Sequence, residues 1–173
     1  MAENRPTIPL TPALIELESV EFKTICSWPF HDPFVRRLLR DDIPHRVQFG
    51  HCRIWIYRDP AGQPVGFGTF DLCNDYAPIA GNMSHPYIPL LGVNPTIQSL
   101  GYGTAILRHL ISEAAVLCRT SGCSDTVFLE VYTTSTRAIS LYSRSGFQRI
   151  TDEILDKAEG RHYFVMAKRV SVG

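Results

Sequence analysis

The stretch VNPTIQSLGYGTAILRHLISEAAVLC, residues 93–118, decides the fold of this 173-residue chain. After Gly101 its apolar residues recur at helical spacing, which predicts an amphipathic helix. They are Leu107, Leu110, Ile111, Ala114, Leu117 and Cys118. Gly101 and Gly103 stand where this helix begins, and glycine lets backbone N–H groups approach a ligand closely while the helix dipole adds partial positive charge. The junction therefore predicts a binding site for an anion.

The segments on either side alternate between β-rich runs and helices. Before the stretch the sequence predicts a hairpin whose strands are residues 47–59 and 65–72. A loop at residues 73–86 and a strand at residues 87–93, interrupted by Pro89, are predicted to follow. After it we expect a buried strand, a short helix capped by Thr or Ser and closed by Gly146, and two β runs, at residues 126–132, 133–146, 147–155 and 162–168. This order indicates an α/β fold.

Composition and charge exclude several classes of protein. Lys and Arg number 17, as do Asp and Glu, so the net charge is zero and the basic footprint of a nucleic-acid-binding protein is missing. No apolar run approaches the ~18 residues of a membrane span, and prolines interrupt the N-terminus where a secretory peptide needs an apolar core. The histidines and cysteines show no metal-ligand spacing. We therefore expect a cytoplasmic protein that binds neither nucleic acid nor membrane and holds no metal.

Two motifs in the chain resemble the GCN5-related N-acetyltransferase (GNAT) family. The first is the acetyl-CoA signature Gln/Arg-x-x-Gly-x-Gly/Ala, filled by Gln98, Gly101 and Gly103 after a strand that ends in Val-Asn-Pro. A dinucleotide motif is not matched, because Ile106 stands where it needs a third glycine, and the Gly-Lys-Ser/Thr of a Walker A loop is absent. The second motif is Asn-x-x-Ala-x-x-Leu-Tyr-x-x-x-Gly-Phe, filled by Ser135, Ala138, Leu141, Tyr142, Gly146 and Phe147.

The resemblance implies the GNAT fold, a mostly antiparallel sheet that splays between two neighbouring parallel strands and carries helices on both faces. We expect a single domain of residues 1–173, with its core at residues 47–168 and the cofactor motif at residues 88–121. The N-terminal residues 1–46 would supply a strand and helices on the acceptor side. The sequence predicts these at residues 13–17, Val20–Trp28 and Phe34–Leu39.

The resemblance also implies acetyl-CoA as co-substrate, its pantetheine arm lying between the strand of Leu91 and Val93 and the strand of Leu129 and Val131. Ser99 and Ser135 depart from the family pattern, which often has Gly and Asn there, yet both remain small hydrogen-bonding residues. The residues expected to bind the cofactor are Leu91, Gly92, Val93, Gln98, Ser99, Leu100, Gly101, Tyr102, Gly103, Thr104, Ser135, Ala138 and Tyr142.

By the same resemblance, Tyr142 is the general acid that protonates the departing CoA thiolate. The alternative is that Tyr142 is a core aromatic residue. The general base is open, because Tyr87 stands where some family members carry a glutamate. The candidate base region comprises Tyr87 itself with His85, Asp75, Asp71 and Glu130. The missing carboxylate favours either an acceptor of low pKa or a base that acts through water, since a lysine-like amine is about 0.04% neutral at pH 7 and an α-amine about 14%.

The expected acceptor is a small-molecule amine or a protein N-terminus, and a homodimer remains open. The segment TICSWPFHDPF, residues 24–34, resembles acceptor-pocket helices of family branches, although Trp28, Phe30 and Phe34 could instead simply pack on the sheet. We expect an N-acetyltransferase that acts by direct attack, because no cysteine or serine sits in a motif for a covalent intermediate. The alternative function is a non-catalytic acyl-CoA-binding module.

Overall fold

The structure, a computed structural model, describes residues 8–50, 52–74, 85–121 and 123–170. These residues form nine strands and five α-helices. The strands are β1 (Thr11–Leu14), β2 (Cys52–Arg58), β3 (Pro64–Asn74), β4 (His85–Tyr87), β5 (Leu91–Val93), β6 (Thr126–Tyr132), β7 (Gln148–Arg149), β8 (Ile154–Asp156) and β9 (Arg161–Arg169). The α-helices are α1 (Val20–Ser27), α2 (Pro33–Arg37), α3 (Ile43–Gln48), α4 (Tyr102–Ser121) and α5 (Thr136–Arg144). A π-helical turn, Leu38–Asp42, joins α2 to α3, and a 3-10 turn, Pro95–Ile97, precedes α4.

The strands form one mixed sheet in the order β1-β2-β3-β4-β6-β9-β7, with β5 paired to β3 and β8 paired to β9. The pairs are antiparallel except for β4 and β6, which run parallel and meet at Tyr87 and Phe128. Beyond this contact the sheet divides, because β5 pairs with β3 while β6 continues along β9. A gap therefore opens between β5 and the end of β6, and helices cover both faces of the sheet. This confirms the predicted fold class.

Two hydrophobic cores hold the layers together. On one face α4 buries Ile106, Leu107 and Leu110 completely, and α5 adds Tyr142 and Leu141 to the same cluster. On the other face, side chains of α1 and α3 pack with apolar side chains of β2 and β3. This second cluster contains Phe22, Ile25, Trp28, Phe30, Leu39, Ile43, Ile54, Ile56 and Phe67. The sheet thus separates a face built by α4 and α5 from a face built by α1 to α3.

The interruption predicted at Pro89 is a break between two strands rather than an irregularity within one. Pro89 has no N–H to donate, and the buried Thr69 bonds both polar backbone groups of Leu90. The Leu90 carbonyl accepts from the Thr69 backbone N–H at 2.8 Å and from the Thr69 hydroxyl at 2.9 Å, and the Leu90 N–H donates to that hydroxyl at 2.8 Å. The predicted strand at residues 87–93 is therefore divided into β4 and β5.

Several other element boundaries differ from the sequence prediction. The N-terminal strand ends at Leu14, whereas residues 13–17 were expected, and residues 147–155 form two short strands instead of one run. The first hairpin strand begins at Cys52, because residues 43–48 continue the helical path of α2 through the π-helical turn and bury Ile43 against β2 and β3. Tertiary packing overrides the β-like pattern of residues 47–50 here. Residues 73–74 and 85–86, expected in a loop, lie in β3 and β4.

Candidate active site

The turn before α4 has the backbone shape that an anion site requires. Ser99 and Gly101 adopt left-handed conformations, with φ of 71° and 90°. The turn is set up by Asn94, whose side chain accepts from the Thr96 N–H at 3.1 Å. The N–H groups of Thr104 and Ala105 donate to the Gly101 carbonyl, so helix geometry leaves the N–H groups of the preceding residues without intrahelical acceptors. The turn can therefore offer several N–H donors to one ligand.

A groove of about 610 Å³ runs between β5, this turn and α5. Of the residues predicted to bind the cofactor, eight line it: Leu91, Val93, Gln98, Ser99, Gly101, Gly103, Thr104 and Ala138. The groove is also lined by residues that were not predicted to bind the cofactor: Thr136, Arg137, Ser140, Leu141 and Arg144. Its described lining contains two guanidinium groups and no carboxylate, which suits a polyanionic ligand. We call this cavity the cofactor groove.

The remaining residues predicted to bind the cofactor lie beside the groove rather than in its lining. Gly92 is packed against Phe67, whose ring would collide with a Cβ at this position. Leu100 is 58% exposed. Tyr102 is the first residue of α4 and is partly buried against the core that α4 and α5 form on their face of the sheet. Ser135 takes the N-cap position of α5, and its side chain makes no capping hydrogen bond.

Tyr142 lies on α5, one residue beyond the groove-lining Leu141. It is 9% exposed and its ring packs near that of Phe147, with centroids 6.0 Å apart. Among the described residues its hydroxyl has no hydrogen-bond partner, and burial raises the pKa of Tyr142 to about 12. The side chain therefore keeps its proton throughout the physiological pH range.

A second cavity, of about 990 Å³, lies on the opposite side of the gap between β5 and β6. Its walls come from α2, the π-helical turn and α3, from the ends of β4 and β6, and from the β8–β9 hairpin. Four carboxylates line it, those of Asp41, Asp42, Glu130 and Asp156, against the cations Arg46 and Lys157. Arg46 is itself paired with the buried Asp71 at 2.7 Å. Asp41 and Asp42 are paired with Arg40 and Arg37, at 2.8 and 3.1 Å, whereas Glu130 and Asp156 accept hydrogen bonds from tyrosine hydroxyls. We call it the acceptor pocket.

Two of the predicted base candidates come together in the acceptor pocket. The Tyr87 hydroxyl donates to Glu130 Oε2 at 3.2 Å, and both residues line the cavity. His85 lies outside the lining, buried with its ring against that of Phe128. Asp71 also lies outside it, buried in its ion pair with Arg46. Asp75 falls outside the residues that the structure describes.

The aromatic residues of segment 24–34 divide between core and pocket. Trp28 and Phe30 pack on Phe67 in the second core, with ring centroids 6.2 and 5.9 Å from it. Phe34 instead lines the acceptor pocket, with its edge against the ring of Tyr132 at 4.8 Å. The Tyr132 hydroxyl donates to Asp156 Oδ2 at 2.7 Å. The sequence analysis named neither Tyr132 nor Asp156, because no motif marks them and only the tertiary fold brings them together.

The described residues contain neither a cluster of metal ligands nor a membrane-spanning helix. Within residues 8–50, 52–74, 85–121 and 123–170, no group of three or more His, Cys, Asp or Glu side chains is arranged to hold a metal ion. In the same part of the chain, no helix has the length and apolar character needed to cross a bilayer.

Comparison with known proteins places the chain in a family. The profile of the acetyltransferase (GNAT) family matches residues 12–147. N-alpha-acetyltransferase 50 of Danio rerio is 32% identical over 69 residues, a match that covers 40% of this chain and only 39% of that protein. Among solved structures, a chain of the NatC complex bound to Gag peptide and CoA aligns with a TM-score of 0.66 at 16% identity, covering 95% of this chain and 100% of that chain.

The ribosomal-protein-S18-alanine N-acetyltransferase from Escherichia coli has a similar fold, with a TM-score of 0.66 at 21% identity over 95% of this chain and 96% of its own. These structural similarities support the mixed sheet and its splayed strands. Because the family profile spans well over half of the sequence, the chain belongs to the acetyltransferase (GNAT) family.

Proposed function

We propose that the protein transfers the acetyl group of acetyl-CoA to a primary amine, and that the amine is the α-amine of a peptide. The observation that carries this proposal is that one short segment lines both cavities. Tyr87 and Pro89 line the acceptor pocket, and Leu91 and Val93 line the cofactor groove. A thioester held in the gap between β5 and β6 would therefore face the groove on one side and the pocket on the other.

The cofactor groove fits acetyl-CoA by shape and charge. The turn at Ser99 and Gly101 leaves N–H groups without intrahelical acceptors for a pyrophosphate to use, and Arg137 and Arg144 add positive charge on the opposite wall. The edge of β5 that faces the gap offers backbone groups to the pantetheine amides. The bound thioester supplies an acetyl group on a good leaving group.

In the proposed reaction the amine nitrogen attacks the thioester carbonyl carbon. The C–N bond forms, the C–S bond breaks, the amine gives up a proton to Glu130, and the Tyr142 hydroxyl protonates the sulfur. Tyr87 orients Glu130 through its 3.2 Å hydrogen bond. None of the cysteines whose side chains the structure describes lines either cavity, which favours direct attack over a cysteine-bound intermediate.

The pKa of about 12 at Tyr142 bears on its role as an acid. Proton transfer to an ordinary thiolate, of pKa about 8.5, would be uphill by about 5 kcal/mol. A thiolate that leaves into the same buried region is desolvated too, so its pKa also rises and the difference between the pKa values of Tyr142 and the thiol becomes smaller. The transfer is concerted with C–S cleavage in this proposal, so no free thiolate has to accumulate.

Two observations support a peptide α-amine as acceptor. The names of the Danio rerio relative and of the Escherichia coli enzyme both describe N-terminal or alanine acetylation, and the NatC structure contains a peptide. The acceptor pocket is wide enough for more than a single amine group and is lined by the carboxylates of Glu130 and Asp156. A protonated α-amine is attracted to such a pocket, and its pKa near 7.8 makes a neutral fraction available for attack.

The test is an acetylation assay on a matched set of amines, with acetyl-CoA present and products identified by mass spectrometry. The set contains short peptides with a free N-terminus, the same peptides with a blocked N-terminus and a lysine, and a small polyamine. Acetylation of the free N-terminus at the highest kcat/KM is the expected result. Preference for the lysine or the polyamine would overturn the acceptor assignment, and acetylation of none of them would overturn the function.

A further inference from the structure

Two arginines outside the lining of the acceptor pocket contact its aromatic wall. Arg37 lies 5.4 Å from the centroid of the Phe34 ring and pairs with Glu159 at 2.9 Å, whereas Arg161 contacts the rings of both Phe34 and Tyr132. Arg161, the first residue of β9, places its guanidinium 3.9 Å from the centroid of the Tyr132 ring and 6.0 Å from that of Phe34. Its Nη1 donates to both carboxylate oxygens of Asp32, at 3.3 and 3.2 Å. Its Nη2 donates to the Thr134 hydroxyl at 3.3 Å. One side chain thus joins the start of α2, the end of β6 and the start of β9.

Asp32 connects this arginine to the helical side of the pocket. The same carboxylate that pairs with Arg161 caps α2 by accepting from the Phe34 N–H at 3.0 Å. Phe34 in turn places its ring edge against Tyr132. None of the five residues of α2 is fully buried, so its position depends on such contacts and on its continuation through the π-helical turn into α3.

The β8–β9 hairpin fixes Tyr132 from the other side. Asp156 and Arg161 are register partners across this hairpin. Asp156 accepts the Tyr132 hydroxyl, and its other oxygen accepts the N–H groups of Ala158 and Glu159 in the hairpin turn. These contacts lower the pKa of Asp156, led by the Tyr132 hydrogen bond, and keep its carboxylate charged.

We propose that Arg161 is a positioning residue for the acceptor, because it holds Phe34 and Tyr132 in place as one wall of the acceptor pocket. This inference rests on the proposed function, since it concerns how the amine is bound. Neither cavity lining includes Arg161, so it acts through the two aromatic residues. The cofactor groove is built by β5, the turn before α4, and α5, and so should be indifferent to its loss.

The experiment compares Arg161→Ala with the wild-type protein in steady-state kinetics and in hydrogen exchange. Loss of a cation–π contact and of a charge-assisted pair should raise KM for the acceptor ~10-fold or more, with kcat and the Kd for acetyl-CoA changed less than ~2-fold. Backbone amides of residues 33–48 should exchange faster, and those of α4 should not. Arg161→Lys should recover only part of the acceptor KM, because an ammonium keeps the charge but not the planar stack.

Two further variants guard against a general loss of folding. Asp32→Asn keeps a capping oxygen for α2 but removes the charge opposite Arg161, so it should raise acceptor KM in the same direction by a smaller factor. Arg149→Ala removes a similar arginine, 4.5 Å over the Phe164 ring and bonded to the Thr151 carbonyl, that lines neither cavity. It should leave acceptor KM unchanged.

Unchanged acceptor KM in folded Arg161→Ala, or an equal rise in Arg149→Ala, would overturn the inference. If no amine is acetylated by the wild-type protein, the proposed function fails, and hydrogen exchange alone then tests whether Arg161 holds α2 in place. Unaltered exchange of residues 33–48 in Arg161→Ala would then overturn it.

Discussion

Replacing Tyr142 by phenylalanine should reduce the rate of acetyl transfer while leaving stability almost unchanged. The ring and its packing on Phe147 are retained, and only the hydroxyl is lost. Loss of a general acid costs ~10²-fold in turnover, which corresponds to about 2.7 kcal/mol in the activation free energy. Because the hydroxyl has no hydrogen-bond partner among the described residues, its removal should change the unfolding free energy by less than about 1 kcal/mol.

A second tyrosine provides the matched control. Tyr57 is completely buried on β2, and its hydroxyl is 2.8 Å from His109 Nδ1 on α4. It lines neither cavity. Tyr57→Phe breaks this hydrogen bond and should cost about 1 kcal/mol of unfolding free energy, with turnover unchanged.

The assay measures turnover and the unfolding free energy, from urea denaturation, for both variants. We expect Tyr142→Phe to lose rate and Tyr57→Phe to lose stability. Wild-type turnover in Tyr142→Phe would remove Tyr142 from the chemistry and leave it as a core aromatic residue. A rate loss that disappears with an acyl donor of lower thiol pKa would identify the lost step as protonation of the leaving thiolate.

Three further predictions concern the cofactor groove and the core. A Cβ at Gly103 would meet Leu141 and Val93 at the ordinary contact distances of 3.4 and 3.7 Å, so Gly103→Val should weaken acetyl-CoA binding at least ~10-fold in calorimetry with little change in Tm. Gly101→Val should also destabilise the protein, because the φ of Gly101 is 90°. Ser99→Gly should relieve the left-handed φ of 71° and change the unfolding free energy by less than about 0.5 kcal/mol, without weakening acetyl-CoA binding. A decrease in unfolding free energy of more than about 1 kcal/mol would show that the serine side chain stabilises the turn. Burial lowers the pKa of His109, against a smaller opposing effect of Glu113, so the stability that neutral His109 contributes is present above pH ~6.5 and is lost as the pH falls below that value. His109→Asn should therefore make the unfolding free energy depend less on pH between about pH 7 and 5. An unchanged pH dependence would contradict the lowered pKa of His109.

The sequence predicted the parts of the site whose geometry is local. The glycine turn at Gly101, the start of α4 and the closure of α5 at Gly146, with φ of 88°, each depend on residues within one turn. Ala138 lines the groove, whereas Ser135 and Tyr142, also predicted to bind the cofactor, lie outside its lining. Patterns of spacing and glycine placement encode such features directly.

The parts that the sequence did not reveal depend on contacts between distant residues. Arg161 and Asp32 are 129 positions apart, and Tyr87 and Glu130 are 43 apart. The sequence predicted the interruption at Pro89, but it did not reveal that Thr69 bonds the backbone of Leu90, 21 positions away. No local pattern marks these pairs in the sequence, so the acceptor pocket could be located only from the fold.

The central claim is direct transfer from acetyl-CoA to an amine, and release of free thiol tests it most directly. Wild-type protein and acetyl-CoA are mixed with and without the preferred peptide, and thiol is followed with a chromogenic disulfide reagent, using Gly103→Val as the control with an impaired groove. We expect thiol release that requires the amine, equals the acetylated peptide formed mole for mole, and falls sharply in Gly103→Val. Binding of acetyl-CoA with no thiol release on any amine would instead identify the chain as an acyl-CoA-binding module and contradict the account.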